Sequence, residues 1–230
     1  GEKLGFEAVT ADEDDVFTDP AVQAVFALTR HDLHAGQVLK ALRAGKHVFV
    51  EKPLALNINE IEAIDAALSA ASPRPLVMCG FNRRFSPAAG AVKQFFHGVT
   101  APLVISIRFN AGEIPPEHWT QDENVGGGRI IGEACHAIDL ATFLAGSPPV
   151  RVFAESVGGS HAPRITDDQC FITLRHANGS ISNVAYVSSG DRALPKERVE
   201  AFGGGRVAVI NDFRSVTTCV GGKEKTIDGW

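Results

Sequence analysis

Over its first 100 or so residues the chain alternates short apolar runs with amphipathic stretches, and few folds accept that alternation. Ala24-Val25-Phe26-Ala27-Leu28 reads as a strand of the buried, non-alternating kind. A helix is predicted from Asp32 to Ala44, with Leu33, Val38, Leu39 and Leu42 at core spacing and Gly45 as its stop. His47-Val48-Phe49-Val50 is the next strand. Asn57 then opens a helix to Ala70, with Glu60 three residues on as capping-box partner. Leu76-Val77-Met78-Cys79 is a third strand, and Ser86-Pro87 starts a helix that Gly98 ends. Strand–helix–strand–helix–strand at this spacing predicts an α/β fold, a partial doubly wound half-sheet whose strands are parallel. Ligands bind such sheets beyond the carboxyl ends of the strands. Here those ends are Thr29-Arg30-His31, Glu51-Lys52-Pro53 and Gly80-Phe81-Asn82-Arg83.

The pattern changes near residue 100, which divides the chain into 1–98 and 99–230. One long helix is expected after a triple glycine, from Arg129 to Leu144. Around it lie β-like segments: Val104–Phe109, Val150–Val157, Cys170–His176, Ser180–Ser188, Val199–Phe202, Arg206–Ile210 and Ser215–Val220. Asn178-Gly179 marks a hairpin turn. This half is expected to be an α+β domain with an open, mainly antiparallel sheet.

Composition narrows the function classes. With 44% hydrophobic and 21% charged residues, the chain can bury a substantial core. A net charge of −5 argues against general attraction to nucleic acid or to an anionic membrane. No apolar run approaches the ~20 residues needed to span a bilayer. Cys79, Cys135, Cys170 and Cys219 form no CxxC pair, so reduced thiols and a cytoplasmic location are expected, without a disulfide framework or a metal site. The start, Gly1-Glu2-Lys3-Leu4-Gly5, lacks both an initiator Met and a signal-peptide pattern, and reads as an internal cut.

Two constellations carry chemistry. In Glu51-Lys52-Pro53 the proline pushes Lys52 out of the α region and extends it at a strand end. An ammonium there can stabilise an alkoxide, or accept its proton if burial lowers its pKa. The tripeptide alone fits a solvated strand-end lysine better. The second runs from Gly126-Gly127-Gly128-Arg129 through Gly132-Glu133 to His136 and Asp139. On a helix Gly132, Glu133, His136, Asp139 and Leu140 share a face. His136 then suits acid–base or substrate-orienting work, and equally a hydrogen-bonded core position. Weaker candidates follow. Gly203-Gly204-Gly205-Arg206-Val207-Ala208 matches a dinucleotide fingerprint, but a β-like run follows where a helix is required, so it reads as a β-turn. His31 and His34 lack a supporting third ligand. His118-Trp119, in a Pro-rich loop, suits a substrate lid or a subunit contact. Lys223-Glu224-Lys225 reads as a solvated turn.

Together the strings Thr29-Arg30-His31-Asp32-Leu33-His34, Ala44-Gly45-Lys46-His47-Val48-Phe49-Val50-Glu51-Lys52-Pro53 and Gly80-Phe81-Asn82-Arg83-Arg84-Phe85, with the triple-glycine helix, resemble the Gfo/Idh/MocA oxidoreductases over residues 5–210. The resemblance implies a Rossmann-like domain for NAD or NADP over 1–98. Over 99–230 it implies a substrate domain whose open sheet face builds homo-oligomers. It further implies hydride transfer at a hydroxyl carbon of a sugar, sugar acid or cyclitol. Lys52 matches the family's catalytic lysine and His136 its active-site histidine, with Glu133 as a third catalytic candidate. The cofactor is implied beside Thr29, Arg30, His34, Glu51, Lys52, Pro53 and Asn82, and the substrate beside Arg83, His118, Trp119 and His136.

Two departures stand out. Many relatives carry Asp four residues before the histidine, where this chain has Gly132. Glu133 is one residue along, and so ~100° around an α-helix. The GEACHAIDL form also resembles a subgroup sometimes joined to a zinc alcohol-dehydrogenase-like module. Second, no glycine loop for the pyrophosphate precedes Val25, so this stretch by itself is expected to bind cofactor poorly and to be inactive or impaired. Competing readings are a non-catalytic sugar-binding or scaffold protein reusing the fold, and a dimerisation module.

Overall fold

The structure is a computed structural model that describes residues 4–157 and 168–229. The chain forms two compact units, Gly1–Gly80 and Phe81–Trp230.

The first unit opens with a short helix, α1 (Glu13–Thr18), whose Asp12 cap accepts from the Asp14 backbone N–H. Then come β1 (Ala24–Ala27), α2 (His31–Arg43), β2 (His47–Val50), α3 (Ile58–Ala70) and β3 (Val77–Cys79). The strands pair in the order β1-β2-β3, all parallel, with Ala27 beside Val50 and Val50 beside Cys79. Alternation across the strands puts Val48, Val50 and Ala27 into a core with Val38, Ala41 and Leu42 of α2 and Ile64 of α3. Each fully buried valine there contributes about 1.5–3 kcal/mol. The row Phe26, Phe49, Met78 lies on the opposite face, where Phe26 and Met78 are exposed.

Local signals explain the element ends. Gly45, at φ +68°, closes α2 with paired bonds from its N–H to Leu42 and from the Lys46 N–H to Ala41, a Schellman arrangement. The motif turns Lys46 inward, where its ammonium donates to the carbonyls of Asp19 and Val22, both at 2.6 Å. Asn57 caps α3 by accepting from the Glu60 N–H at 3.1 Å, while the Glu60 carboxylate takes the Leu56 N–H at 2.8 Å. The reciprocal bond is thus made one residue earlier than a capping box predicts.

The second unit contains a 3₁₀ turn (Asn82–Phe85), α4 (Pro87–Phe95), β4 (Val104–Asn110), a further 3₁₀ turn (Trp119–Gln121), a π-helical turn (Ile130–Ala134) and α5 (Cys135–Ala145). Seven strands follow: β5 (Pro149–Ser156), β6 (Cys170–His176), β7 (Ile181–Val187), β8 (Glu197–Gly203), β9 (Arg206–Asn211), β10 (Ser215–Val220) and β11 (Lys223–Asp228). The sheet order is β11-β10-β9-β8-β4-β7-β6-β5, antiparallel except between β4 and β7. Helix α4 packs on β9 and β10, and α5 on β4 and β7. They bury Ala88, Ala89 and Val92, and Leu140, Ala141 and Leu144, against Ile105, Ile107, Phe109, Val184 and Ile210. The opposite sheet face is open, with Val104, Ile181 and Phe202 exposed along one register row.

Four details differ from expectation or sharpen it. Helix α4 precedes the change of pattern near residue 98, yet its inner side chains belong to the core of the large sheet, so contacts divide the chain at 80. The Lys223-Glu224-Lys225 stretch is not a turn: it begins the edge strand β11, whose exposed charged residues suit an unpaired edge. The helix expected from Arg129 begins as a π turn. The triple glycine at 203–205 is a β-turn as read: Gly204 and Gly205, at φ +57° and +72°, join β8 to β9 as a type I′ hairpin requires. No helix among the described residues is long and apolar enough to cross a membrane.

Candidate active site

In the first unit the site begins where the parallel strands end. The ladder continues one residue past the strands, from Glu51 N–H to Ala27 O at 2.9 Å and from Gly80 N–H to Val50 O at 2.8 Å. Glu51 folds back: its carboxylate accepts the Lys52 backbone N–H at 3.2 Å and lies over Gly80, where a Cβ would stand 2.9 Å from Oε2. A side chain at position 80 would require that carboxylate to shift. Lys52 is half-buried and Pro53 buried, and the bond between them is cis. Thr29 donates its hydroxyl to Gln37 at 2.8 Å, and exposed Arg30 caps α2 in an extended conformation. His34 lies wholly inside, its Nδ1 at 2.7 Å from Pro53 O and its Nε2 at 3.1 Å from Thr29 O.

In the second unit the triple glycine leads into the π turn. Gly126 is forced by a close approach, because a Cβ would meet the Thr120 backbone at 2.3 Å. Cys135 donates its backbone N–H to Ile130 O, five residues back, so the stretch carries a wider ring than an α-helix. The α-helical phase expected for Glu133 therefore does not hold across it.

Glu133 is clamped. Its carboxylate takes Arg129 at 3.0 Å, the Tyr186 hydroxyl at 2.5 Å, and the Lys196 ammonium. Arg129, almost fully buried, also gives Nε to Tyr186 Oη at 2.7 Å and Nη1 to Gly112 O at 3.2 Å. Burial alone would raise the Glu133 pKa. The bonds from Lys196 and Tyr186, with the charges of Lys196 and Arg129, more than reverse that and hold it at about 2. Burial and the Glu133 carboxylate push the Tyr186 phenol above its ordinary range. Glu133 is thus ionised at neutral pH, able to orient cations but without a proton to give.

His136 is buried on the first turn of α5, its ring edge-on to Phe81 at 6.1 Å. Asp139, one turn on, holds Arg84 through two bonds, one at 2.8 Å from Nε. Arg83 is likewise engaged, bidentate to Glu197 at 2.6 and 2.9 Å, with its guanidinium over the Phe109 ring. Asn82 accepts from Arg83 at 3.2 Å. His118 is exposed, accepts the Thr120 N–H, and stacks obliquely on Trp119.

Of the sequence candidates, Thr29, His34, Glu51, Lys52 and Pro53 gather at one sheet edge, while Glu133 and His136 share a helix start. Arg83 serves a bidentate anchor to β8. Sequence reasoning gave Arg129 no role of its own and missed Tyr186, Lys196 and Glu197. Arg129 stood four residues before Glu133, and Tyr186 is the only tyrosine in the chain, so both left a signal.

Residues 1–96 match the profile of an oxidoreductase family with an NAD-binding Rossmann fold, and residues 99–205 match that family's C-terminal domain. The chain belongs to the Gfo/Idh/MocA oxidoreductase family. Among similar proteins are the myo-inositol 2-dehydrogenase of Thermotoga maritima, 28% identical over 91% of this chain and 63% of its own length. Others are the levoglucosan dehydrogenase of Pseudarthrobacter phenanthrenivorans, 28% identical over 79% of this chain and 53% of its own, and inositol 2-dehydrogenase 2 of Paenarthrobacter aurescens, 32% identical over 76% and 53%. The chain therefore spans between 53% and 63% of the length of these Gfo/Idh/MocA relatives. A solved levoglucosan dehydrogenase in complex with NADH and levoglucosan superimposes with a TM-score of 0.86 at 24% identity, covering 99% of this chain and 67% of that one. At that identity the likeness establishes the fold.

Proposed function

We propose that the protein is an NAD- or NADP-dependent dehydrogenase acting at a hydroxyl carbon of a sugar, sugar acid or cyclitol. The observation that carries the reading is the placement of Lys52. It follows the middle strand of the parallel sheet, at the edge where such sheets take ligands, in a chain of this oxidoreductase family. The strand ends suit a flat cofactor ring: Gly80 offers no side chain, and any Cβ there would displace Glu51. Thr29, Arg30, Glu51 and Pro53 would hold the dinucleotide, with Asn82 a further contact. A bound nicotinamide supplies the acceptor for hydride.

This chain's own residues do the rest. Lys52 holds its ammonium at the reacting hydroxyl oxygen, stabilising the alkoxide and taking part in proton transfer. His136 orients a substrate hydroxyl and exchanges its proton. Glu133, held ionised by Lys196, Tyr186 and Arg129, fixes the turn that carries His136 instead of moving a proton itself. His118 and Trp119 border the substrate from their loop, and Arg83 holds the 82–85 turn. The same reading assigns self-association to the open face of the large sheet and a cytoplasmic location, with no nucleic-acid or membrane partner.

The test is reduction of NAD⁺ and NADP⁺ by the full-length protein across a panel of polyols, aldonic acids and cyclitols. Turnover with one class, abolished in Lys52→Ala, is expected. Near-normal turnover in Lys52→Ala would overturn the assignment. A second reading, a sugar-binding protein without turnover, draws on Gly132 standing where relatives carry a carboxylate. Saturable polyol binding without nicotinamide reduction would favour it.

A further inference from the structure

His34 sits in the core of the first unit with no exposed surface, yet it is polar. Its two ring nitrogens face two carbonyls from different connections: Thr29, between β1 and α2, and Pro53, between β2 and α3. Proline has no N–H, so its carbonyl is the only backbone group through which Pro53 can be held by hydrogen bonding. On the other side of Lys52, the Lys52 N–H is taken by the Glu51 carboxylate at 3.2 Å. The backbone of Lys52 is therefore tethered before and after its Cα. A neutral imidazole carries a single N–H, so only one of these carbonyls can accept from it; with that N–H on Nδ1, an apolar residue at 34 would leave Pro53 O without its donor, at the cost that attends any desolvated acceptor. Fully buried, with a carbonyl oxygen facing each nitrogen, the ring presents neither nitrogen to a dinucleotide.

We infer that His34 is a positioning residue for Lys52: its Nδ1–H clasps the Pro53 carbonyl, the shorter of its two contacts at 2.7 Å, and so fixes where the Lys52 ammonium stands. The inference rests on the reading of Lys52 as the group that acts at the substrate.

Two substitutions separate the two contacts of the ring. In His34→Asn the amide nitrogen lies near the place of Nδ1 and can still reach Pro53 O. In His34→Gln it lies near the place of Nε2 and can reach only Thr29 O. Three quantities are measured in the full-length protein. They are hydrogen exchange of the backbone over 51–56, the rate of acylation of the Lys52 amine read by mass spectrometry, and kcat and KM for nicotinamide reduction. His34→Gln is expected to speed exchange over 51–56 by about tenfold, and to shift Lys52 acylation and lower kcat while KM for the cofactor holds. His34→Asn is expected to restore most of the parent's exchange protection and Lys52 acylation rate, within about twofold. A folded His34→Gln protein with unchanged exchange and unchanged Lys52 acylation overturns the clasp. If both quantities shift but Lys52→Met retains turnover, the clasp stands and the assignment of Lys52 to the chemistry fails. Should neither variant fold, the ¹⁵N spectrum of the unmodified protein decides. An Nδ1 that is protonated and coupled across the hydrogen bond to the ¹³C-labelled Pro53 carbonyl carbon supports the clasp, and an Nδ1 with a bare lone pair overturns it.

Discussion

Tyr186 on β7 donates its phenolic hydrogen to Glu133 at 2.5 Å while accepting from Arg129 Nε at 2.7 Å. One hydroxyl thus joins the sheet to the turn that precedes His136, 53 residues away in sequence. Tyr186→Phe keeps the ring stacked on Phe109 but strands the buried Arg129 Nε. It should destabilise the protein by about 1–3 kcal/mol, read from urea unfolding. The Glu133 carboxyl pKa should rise, read by ¹³C NMR.

The same carboxyl makes stability depend on acid. Glu133 has its folded-state pKa depressed to about 2 from an ordinary value of 4.5. Its contribution is then complete above about pH 4.5 and is lost as pH falls toward 2, amounting to about 3 kcal/mol. Unfolding free energies measured between these limits should fall less steeply in Glu133→Gln than in the parent.

Asp139 and Arg84 form a fork-to-fork pair in which the Asp139 side chain is 9% exposed. Losing Arg84 leaves that carboxylate desolvated without its partner. Arg84→Met should therefore cost about 3 kcal/mol, and Arg84→Met with Asp139→Leu should recover much of it in a double-mutant cycle.

Gly190 lies against Asn110, where a Cβ would come 2.0 Å from Oδ1. The Asn110 amide is already committed to the carbonyls of Asp191 and Leu194 at 2.7 and 3.2 Å, so it cannot swing away freely. Gly190→Ala should destabilise the protein by about 1–3 kcal/mol and quicken proteolysis between β7 and β8.

For the proposed chemistry, Lys52→Met should lower kcat by about 10²–10⁴ with cofactor affinity within a few-fold of the parent. Isothermal titration with NAD⁺ and steady-state kinetics on the full-length protein check both parts. His136→Asn should reduce kcat/KM with little effect on cofactor binding.

Local chemistry made much of this readable in advance. Val48 and Val50 declared a buried strand, Gly45 a helix stop, and Ser86-Pro87 a helix start, each through interactions within a few residues. Lys52 was legible because Pro53 restricts it and a parallel sheet presents its strand ends. What escaped depends on partners distant in sequence. Lys196 reaches Glu133 from 63 residues away, and Arg83 reaches Glu197 from 114. Strand β11 escaped for another reason: an edge strand exposed on both faces has no apolar alternation to announce it. Helix α1 is a turn and a half, too short for a periodic signal.

Because the ring closed by Cys135 and Ile130 spans one residue more than an α-helical ring, counting back from His136 at ~100° per residue misplaces the side chains that precede it. The residue four before His136 in sequence and the residue one α-helical turn before it in direction need not then coincide. Alignments that transfer roles across this segment should be anchored separately on each side of it.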